Sequence, residues 1–343
     1  ARPGAWPRSA SVAAKPLPWP SSGSDPAMLD RRQALGLTAL GLMSPGLTLA
    51  ADEAPVEALR LWPDAAPGGE AVTVTPEVVE RSPDPAVHDR IAKHTRDPLL
   101  TVVRPARSNG VSMLLIPGGG YRWAVVDKEG MDCAHVFAGM GYTCYVLRYR
   151  LPADGWAAGP DAPLQDAQRA LRLVRAHAAS EGREADRTVV LGASAGGHLA
   201  GLLGARPDDT YAPVDAADAY AHRPDALILL YPVATLTDPH AHAGSRRELL
   251  GESPAPDRVA AYSLEQMDWA GAAPTFLLHA MDDTAVPVEN SLMLSATLRQ
   301  SRVPVEVHLF EEGGHGFGIR LIEGRPAAVW PDLVQGWLAR RGL

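Results

Sequence analysis

Uninterrupted apolar runs, each closed by a glycine, a proline or a polar residue, recur along the chain from residue 111 onward. "VSMLLIPGGG" from Val111, "TCYVLRYR" from Thr143, "RTVVLGAS" from Arg187, "DALILLYPV" from Asp225, "PTFLLHAM" from Pro274 and "VPVEVHLF" from Val303 read as strands. Continuous rather than alternating hydrophobicity is what parallel strands covered on both faces require. Helical periods separate them. In "PLQDAQRALRLVRAHAA", Leu164, Ala167, Leu171, Val174 and Ala178 share one face, and Pro163 suits a first helical turn. Further helices are predicted after Gly196, over 288–300 and over 328–341. Alternating strand and helix predicts right-handed crossovers onto one mainly parallel sheet. Upstream, residues 58–110 carry shorter apolar runs such as "LLTVV" at Leu99–Val103, expected to be strands separated by turns. Residues 234–274 form a longer connection, expected to be a lid or substrate wall, or else a surface helix pair.

The first fifty residues do not share this pattern. Residues 1–27 are rich in Pro, Ser and Ala without an apolar period, which reads as disorder or as sequence upstream of the true start. Met28 opens a segment with Arg31 and Arg32, an apolar core over 34–49 broken at Ser44-Pro45, and small residues before Asp52. That is the layout of an export signal. The core is too short and broken to span a bilayer comfortably. Paired arginines resemble a twin-arginine signal, although Asp30 stands where such signals usually carry Ser or Thr. The expectation is an exported protein, periplasmic or secreted, with one domain over 52–343 and no stable membrane anchor.

Across 343 residues the formal charge is −8, with signs scattered and no basic patch, so nucleic acid and anionic membrane surfaces are not expected partners. Cys133 and Cys144 are the two cysteines, too few for a disulfide scaffold or thiolate cluster, and are read as packed thiols.

The candidate chemistry lies at strand ends. Gly192-x-Ser194-x-Gly196 follows an apolar strand and precedes a helix, which suits a serine on a strained turn flanked by residues without bulk. The same stretch also fits a plain glycine-rich crossing. A serine needs a base, and the base an orienting acid. "FEEGGHGFG" supplies His315, and "LLHAMDDTAVPVENS" supplies Asp282 and Asp283, each just past its own strand. All would converge on one edge of the sheet. "LLIPGGGYRW" ends a strand in bare glycine backbone, so N–H groups of Gly119 or Gly120, with that of Ala195, could form an oxyanion hole. The phosphate-loop alternative lacks both its Lys-Ser/Thr ending and a G-x-G-x-x-G spacing.

Taken together, "PGGGY", "RYRLP", "APLQDAQRALRLVR", "GASAGGHLAG", "YPV", "GSRRELLG", "DDTAVPVENS" and "GGHGFG" resemble the α/β-hydrolase superfamily from about Leu61 to the C-terminus. The closer resemblance is to bacterial carbohydrate esterases of the acetylxylan or feruloyl type. It implies an α/β-hydrolase fold, with helices on both faces of a mainly parallel central sheet and a short lid-like insertion. It also implies Ser194 as nucleophile, His315 as base and Asp283 as acid. Ala280 replaces the usual glycine of the acid motif, so Asp282 and Asp238 remain alternatives. The activity implied is removal of short acyl groups, most often acetyl, from carbohydrate, with no metal or organic cofactor. A serine peptidase of prolyl oligopeptidase type and a non-catalytic carbohydrate-binding relative are the rival readings.

Tyr121, Trp123 and Trp156 are candidates for substrate contact; the indole faces of Trp123 and Trp156 suit the apolar face of a sugar, with core packing of one or both as the alternative. His198 is expected to pack beneath the sheet and His308 to lie in the core. Asp238, His240 and His242 have only a loose metal-ligand look. Arg246 and Arg247 would brace the insertion or meet an acidic sugar.

Overall fold

The structure, a computed structural model, describes residues 57–343, so the upstream segment and export signal placed on residues 1–51 lie outside the described residues. In chain order the elements are β1 (Ala58–Arg60), β2 (Glu77–Glu80), β3 (Arg90–Lys93), β4 (Leu99–Val103), β5 (Ser112–Ile116), β6 (Ala124–Val125), α1 (Asp132–Gly139) and β7 (Thr143–Arg148). There follow α2 (Ala162–Ser180), β8 (Thr188–Ala193), α3 (Ser194–Ala205), β9 (Ala226–Leu230), α4 (Ala243–Leu250) and α5 (Pro256–Ala261). The last four are β10 (Thr275–Ala280), α6 (Glu289–Gln300), β11 (Val305–Phe310) and α7 (Trp330–Ala339).

The main sheet runs β1-β4-β7-β5-β8-β9-β10-β11. From β7 to β11 every neighbouring pair is parallel, while β1 and β4 join antiparallel at one edge. The expected mainly parallel sheet is therefore present. Its strands β5, β8, β9 and β10 are buried at every residue, which is why they read as unbroken apolar runs. Alternate side chains divide between two cores. Leu114, Ile116, Leu227 and Leu229 pack with Leu164, Leu171 and Val174 of α2, Leu199 of α3 and Leu294 of α6. Met113, Leu115, Ile228 and Leu230 face the other way, onto Phe137 of α1 and Trp330, Val334 and Trp337 of α7.

Two elements depart from the sequence reading. A small antiparallel sheet, β2-β3-β6, was not foreseen, because its strands are short, β2 is largely exposed and β6 has only two residues. The helix expected after Gly196 begins at Ser194 itself, with Ala193 still extended.

The "RYRLP" and "APLQDAQRALRLVR" motifs turn out to be framework. Arg150 and Asp166 are both fully buried, and the Arg150 N–H and Nε–H donate to the Asp166 carboxylate at 2.8 and 2.9 Å. Trp62 donates to the same carboxylate at 2.8 Å, tying the first described segment to α2. The remaining Arg150 hydrogens go to the carbonyls of Pro67 and Ala162 and to Gln165. Such a buried pair adds little net stability but leaves a costly lone charge if either partner is removed.

Candidate active site

Ser194 stands where β8 turns into α3, at φ +53°, a backbone region that side-chain-bearing residues rarely adopt. Its neighbours leave no space for bulk. A Cβ on Gly196 would lie 2.1 Å from the Ile116 carbonyl oxygen, and one on Gly192 would lie 2.4 Å from the Gly196 carbonyl oxygen. The small residues of "GASAGG" are thus dictated by the close approach of helix, strand and the end of β5.

Past the ends of β10 and β11, the structure brings Asp283 and His315 to this serine. Ser194 Oγ is 2.8 Å from His315 Nε2, and His315 Nδ1 is 2.7 Å from Asp283 Oδ2. A carboxylate only accepts, so Nδ1 carries the ring proton and Nε2 is free to receive that of the serine. Asp283 also accepts from the Ala285 and Val286 N–H groups at 2.9 Å and from His279 Nε2 at 3.2 Å. Burial alone would push its carboxyl up. The hydrogen bonds from His279 and His315, the His315 charge and the Val286 N–H outweigh burial and hold it well below the usual carboxylate range.

Asp282, the alternative acid, is occupied elsewhere. Its Oδ1 accepts from the N–H groups of Gly313 and Gly314 at 2.9 and 2.8 Å, so it holds the loop that carries His315. Asp238 pairs with Arg246, whose guanidinium also donates to the Leu236 carbonyl and braces the insertion.

The glycine loop lies beside Ser194 and is fixed from several sides. Tyr149 Oη donates to the Pro117 carbonyl at 2.9 Å, and the Gly118 N–H donates to Glu129 Oε2 at 2.9 Å. Gly119 sits at φ +127°, where a Cβ would be 2.2 Å from the Trp123 carbonyl oxygen, so only glycine fits. Among the described residues the N–H groups of Gly119 and Gly120 have no acceptor. Ala195, second in α3, has no carbonyl within the helix to receive its own N–H. Three backbone donors therefore flank the serine, one of them at the positive end of a helix.

These groups open onto a cavity of about 320 Å³ lined by Gly119, Gly120, Trp123, Glu129, Ser194, His242, Arg247, Glu248 and His315 among others. Wider concavities of about 720 and 1080 Å³ lie elsewhere and gather no nucleophile beside a base. The 234–274 connection supplies one cavity wall through His242, Gly244, Arg247 and Glu248, at the cap of α4 and along the helix.

Of the three aromatic candidates, only Trp123 lines this cavity. Tyr121 is wholly buried at φ +62°, and its hydroxyl lies 2.7 Å from His198 Nδ1, so the backbone turns its ring inward. Trp156 is 5% exposed and packs against the Arg150 guanidinium at 4.8 Å. Both are corrections to their expected substrate contact: each ring serves packing.

The remaining histidines divide similarly. His198 sits under the elbow as expected, donating from Nε2 to the Tyr262 carbonyl at 2.7 Å, and burial pushes it down to about 4. His308, expected in the core, is half-buried on the edge strand β11, stacked on Phe276. Asp238, His240 and His242 do not converge: Asp238 pairs with Arg246, His240 lies 3.8 Å from Glu289, and His242 caps α4.

Sequence reasoning missed Glu129 and His279. The first is a buried carboxylate under the glycine loop, the second a strand histidine supporting Asp283. Glu129 sits in no pattern that distinguishes it before the chain is folded, whereas His279 opens the acid motif that picked out Asp283 without revealing its own supporting role.

The BD-FAE family profile matches residues 101–298. Among curated proteins, the chain is 35% identical over 210 residues to endo-1,4-beta-xylanase B of Butyrivibrio fibrisolvens, covering 60% of this chain and 32% of that one. It is 27% identical over 218 residues to an acetylxylan esterase of Xylanibacter ruminicola, covering 62% and 42%. The chain thus spans less than half the length of these two relatives. Among solved structures, the acetyl ester-xyloside bifunctional hydrolase from Caldicellulosiruptor lactoaceticus is 32% identical, with TM-score 0.63 and coverage of 83% of this chain and 96% of that one. A propionate-bound esterase of Thermogutta terrifontis is 26% identical, with TM-score 0.58 and coverage of 78% and 94%. With an α/β-hydrolase sheet and the profile extending over more than half its length, the chain belongs to the BD-FAE family.

Proposed function

We propose that this protein is a serine esterase that removes short acyl groups, in particular acetyl, from carbohydrate. The observation that carries the reading is the hydrogen-bonded line Ser194–His315–Asp283 beside the unengaged N–H groups of Gly119 and Gly120. Similarity to an acetylxylan esterase and to an acetyl ester-xyloside hydrolase supports carbohydrate as the bearer of the ester.

In this reading Ser194 Oγ attacks the ester carbonyl and passes its proton to His315 Nε2. Asp283 stabilises the imidazolium. The carbonyl oxygen, now an anion, accepts from the N–H groups of Gly119, Gly120 and Ala195. Collapse breaks the C–O bond to the sugar, whose oxygen takes the proton from His315. Water, deprotonated by the same nitrogen, then releases the acid and restores Ser194. One lost oxyanion donor costs about 3 kcal/mol in sites of this type. Export, as read from residues 28–51, would bring the enzyme to polymeric substrate and belongs to the same proposal.

The test is acetate release from acetylated xylan and hydrolysis of a short-chain aryl ester, with Ser194→Ala alongside. The proposal expects both activities in the parent and neither in the variant. Equal rates in the two proteins, or peptide cleavage without ester cleavage, would refute it.

A further inference from the structure

We infer that His242 determines specificity in this pocket by donating from its Nε2–H to a hydroxyl of the sugar that carries the ester. The inference rests on the esterase reading above and adds to it which wall of the cavity recognises the sugar.

The argument begins with the helix that His242 caps. The Ser245 N–H donates to His242 Nδ1 at 3.2 Å, and Ser245 Oγ lies 2.7 Å from the same nitrogen. A ring nitrogen that accepts the N–H of a helix start has its lone pair committed, so the proton of the neutral ring is on Nε2. The helix therefore fixes the tautomer. Burial, and then the nearness of the His315 ring, push His242 down, in the direction that favours the neutral ring.

Nε2 has no hydrogen-bond partner among the described residues, and the ring lines the same cavity as Ser194 and His315. Its Cε1 is 3.8 Å from where a Cβ on Gly120 would stand, which places the ring edge against the glycine loop. Other groups on these walls differ from it: Arg122 lies over the Trp123 ring, and Lys128 is a charged donor. Arg247 pairs with Glu248, and Glu129 receives the Gly118 N–H. His242 thus presents a neutral donor of fixed tautomer toward the space a substrate would enter.

What could accept from it follows from the chemistry of an acylated sugar. The acyl carbonyl oxygen already faces the backbone donors of Gly119, Gly120 and Ala195. The acceptors left over are hydroxyls on the sugar. A simple aryl acetate has none.

His242→Asn separates this role from capping. Asn is a preferred N-cap whose side-chain oxygen keeps an acceptor for the Ser245 N–H, but it is too short to replace Nε2 in the cavity. The measurement is kcat and KM on acetylated xylan and on an aryl acetate, for the parent and for His242→Asn. The expected result is a roughly 10-fold fall in the ratio of kcat/KM for acetylated xylan to kcat/KM for the aryl ester, mainly through KM. Equal losses on both substrates would make His242 a structural or chemical support, and parent-like kcat/KM on both would make it a bystander. Either overturns the inference. Ser194→Ala run beside it keeps the two claims apart, since aryl ester hydrolysis surviving there would defeat the esterase reading whatever His242 does.

Discussion

The serine and the histidine both stand among glycines, yet the two loops are held by different physics. At the elbow the glycines are required by space: a Cβ at Gly192, Gly196 or Gly197 would lie under 3.0 Å from neighbouring atoms, most of them backbone. In the His315 loop, Gly313 and Gly318 are also short of space, but a Cβ on Gly314 would meet nothing within 4 Å, and Gly314 and Gly316 sit at φ +64° and +67°. There the glycines permit a conformation, and hydrogen bonds from Gly313 and Gly314 to Asp282 select it. Ser194 is positioned by packing and His315 by a carboxylate clamp. Damage to the first should destroy the protein, whereas damage to the second should slow it while leaving it folded.

The largest expected effect tests the end of the hydrogen-bonded line. Asp283→Asn should lower kcat by about 10⁴-fold, because an amide in place of the carboxylate favours the wrong tautomer of His315. Kinetics on an aryl ester check it, and a loss under 10-fold would move the acid elsewhere. Gly196→Ala should cost about 3 kcal/mol or more of stability, since the Ile116 backbone cannot give way by the distance needed. Denaturant unfolding measures it, and a stable variant would refute the packing account of the elbow. Asp282→Ala should leave the unfolding midpoint nearly in place but reduce kcat roughly 10-fold by releasing the His315 loop. If the two aspartate variants prove equally damaging, the distinction between acid and clamp fails.

A smaller effect concerns His198 under the elbow. Unfolded, it protonates near the ordinary value of about 6.5, and folded only near about 4, so between those values the unfolded chain binds more protons. Stability should therefore fall by about 2 kcal/mol from pH 7 to pH 5 on its account. Asp283 acts in the same sense at lower pH: its contribution is full above its unfolded value and is lost as pH falls through the depressed folded one. Unfolding midpoints at the two pH values, beside His198→Gln, read the histidine term. Parent and variant responding to pH alike would exclude it.

How legible these features were in the sequence depended on what fixed each of them. Strands β5, β8, β9 and β10 showed plainly, because burial on both faces leaves no polar position to blur the run. Strands β2 and β3 did not, since short half-exposed segments carry neither a continuous nor an alternating pattern. The placement of Ser194, His315 and Asp283 past strand ends followed from element order. Which of two adjacent carboxylates faces His315 is a matter of side-chain direction, and residue order carries none. Tyr121 and Trp156 also fail as substrate contacts. The Tyr121 loop borders the site but its left-handed backbone turns the ring inward, while no residue around Trp156 lines the cavity and its ring packs on the buried Arg150. His242 looked like a loose metal ligand because its capping partner lies on the helix that follows it.

The central claim is that Ser194 is the nucleophile. Treating the protein with one equivalent of an aryl phosphonate ester and mapping the adduct by peptide mass spectrometry tests it most directly. The account predicts a single phosphonyl group on the peptide carrying Ser194, loss of ester hydrolysis in step with labelling, and no label in Ser194→Ala. Labelling of another residue with the same loss of activity, or full activity in the labelled protein, would contradict it.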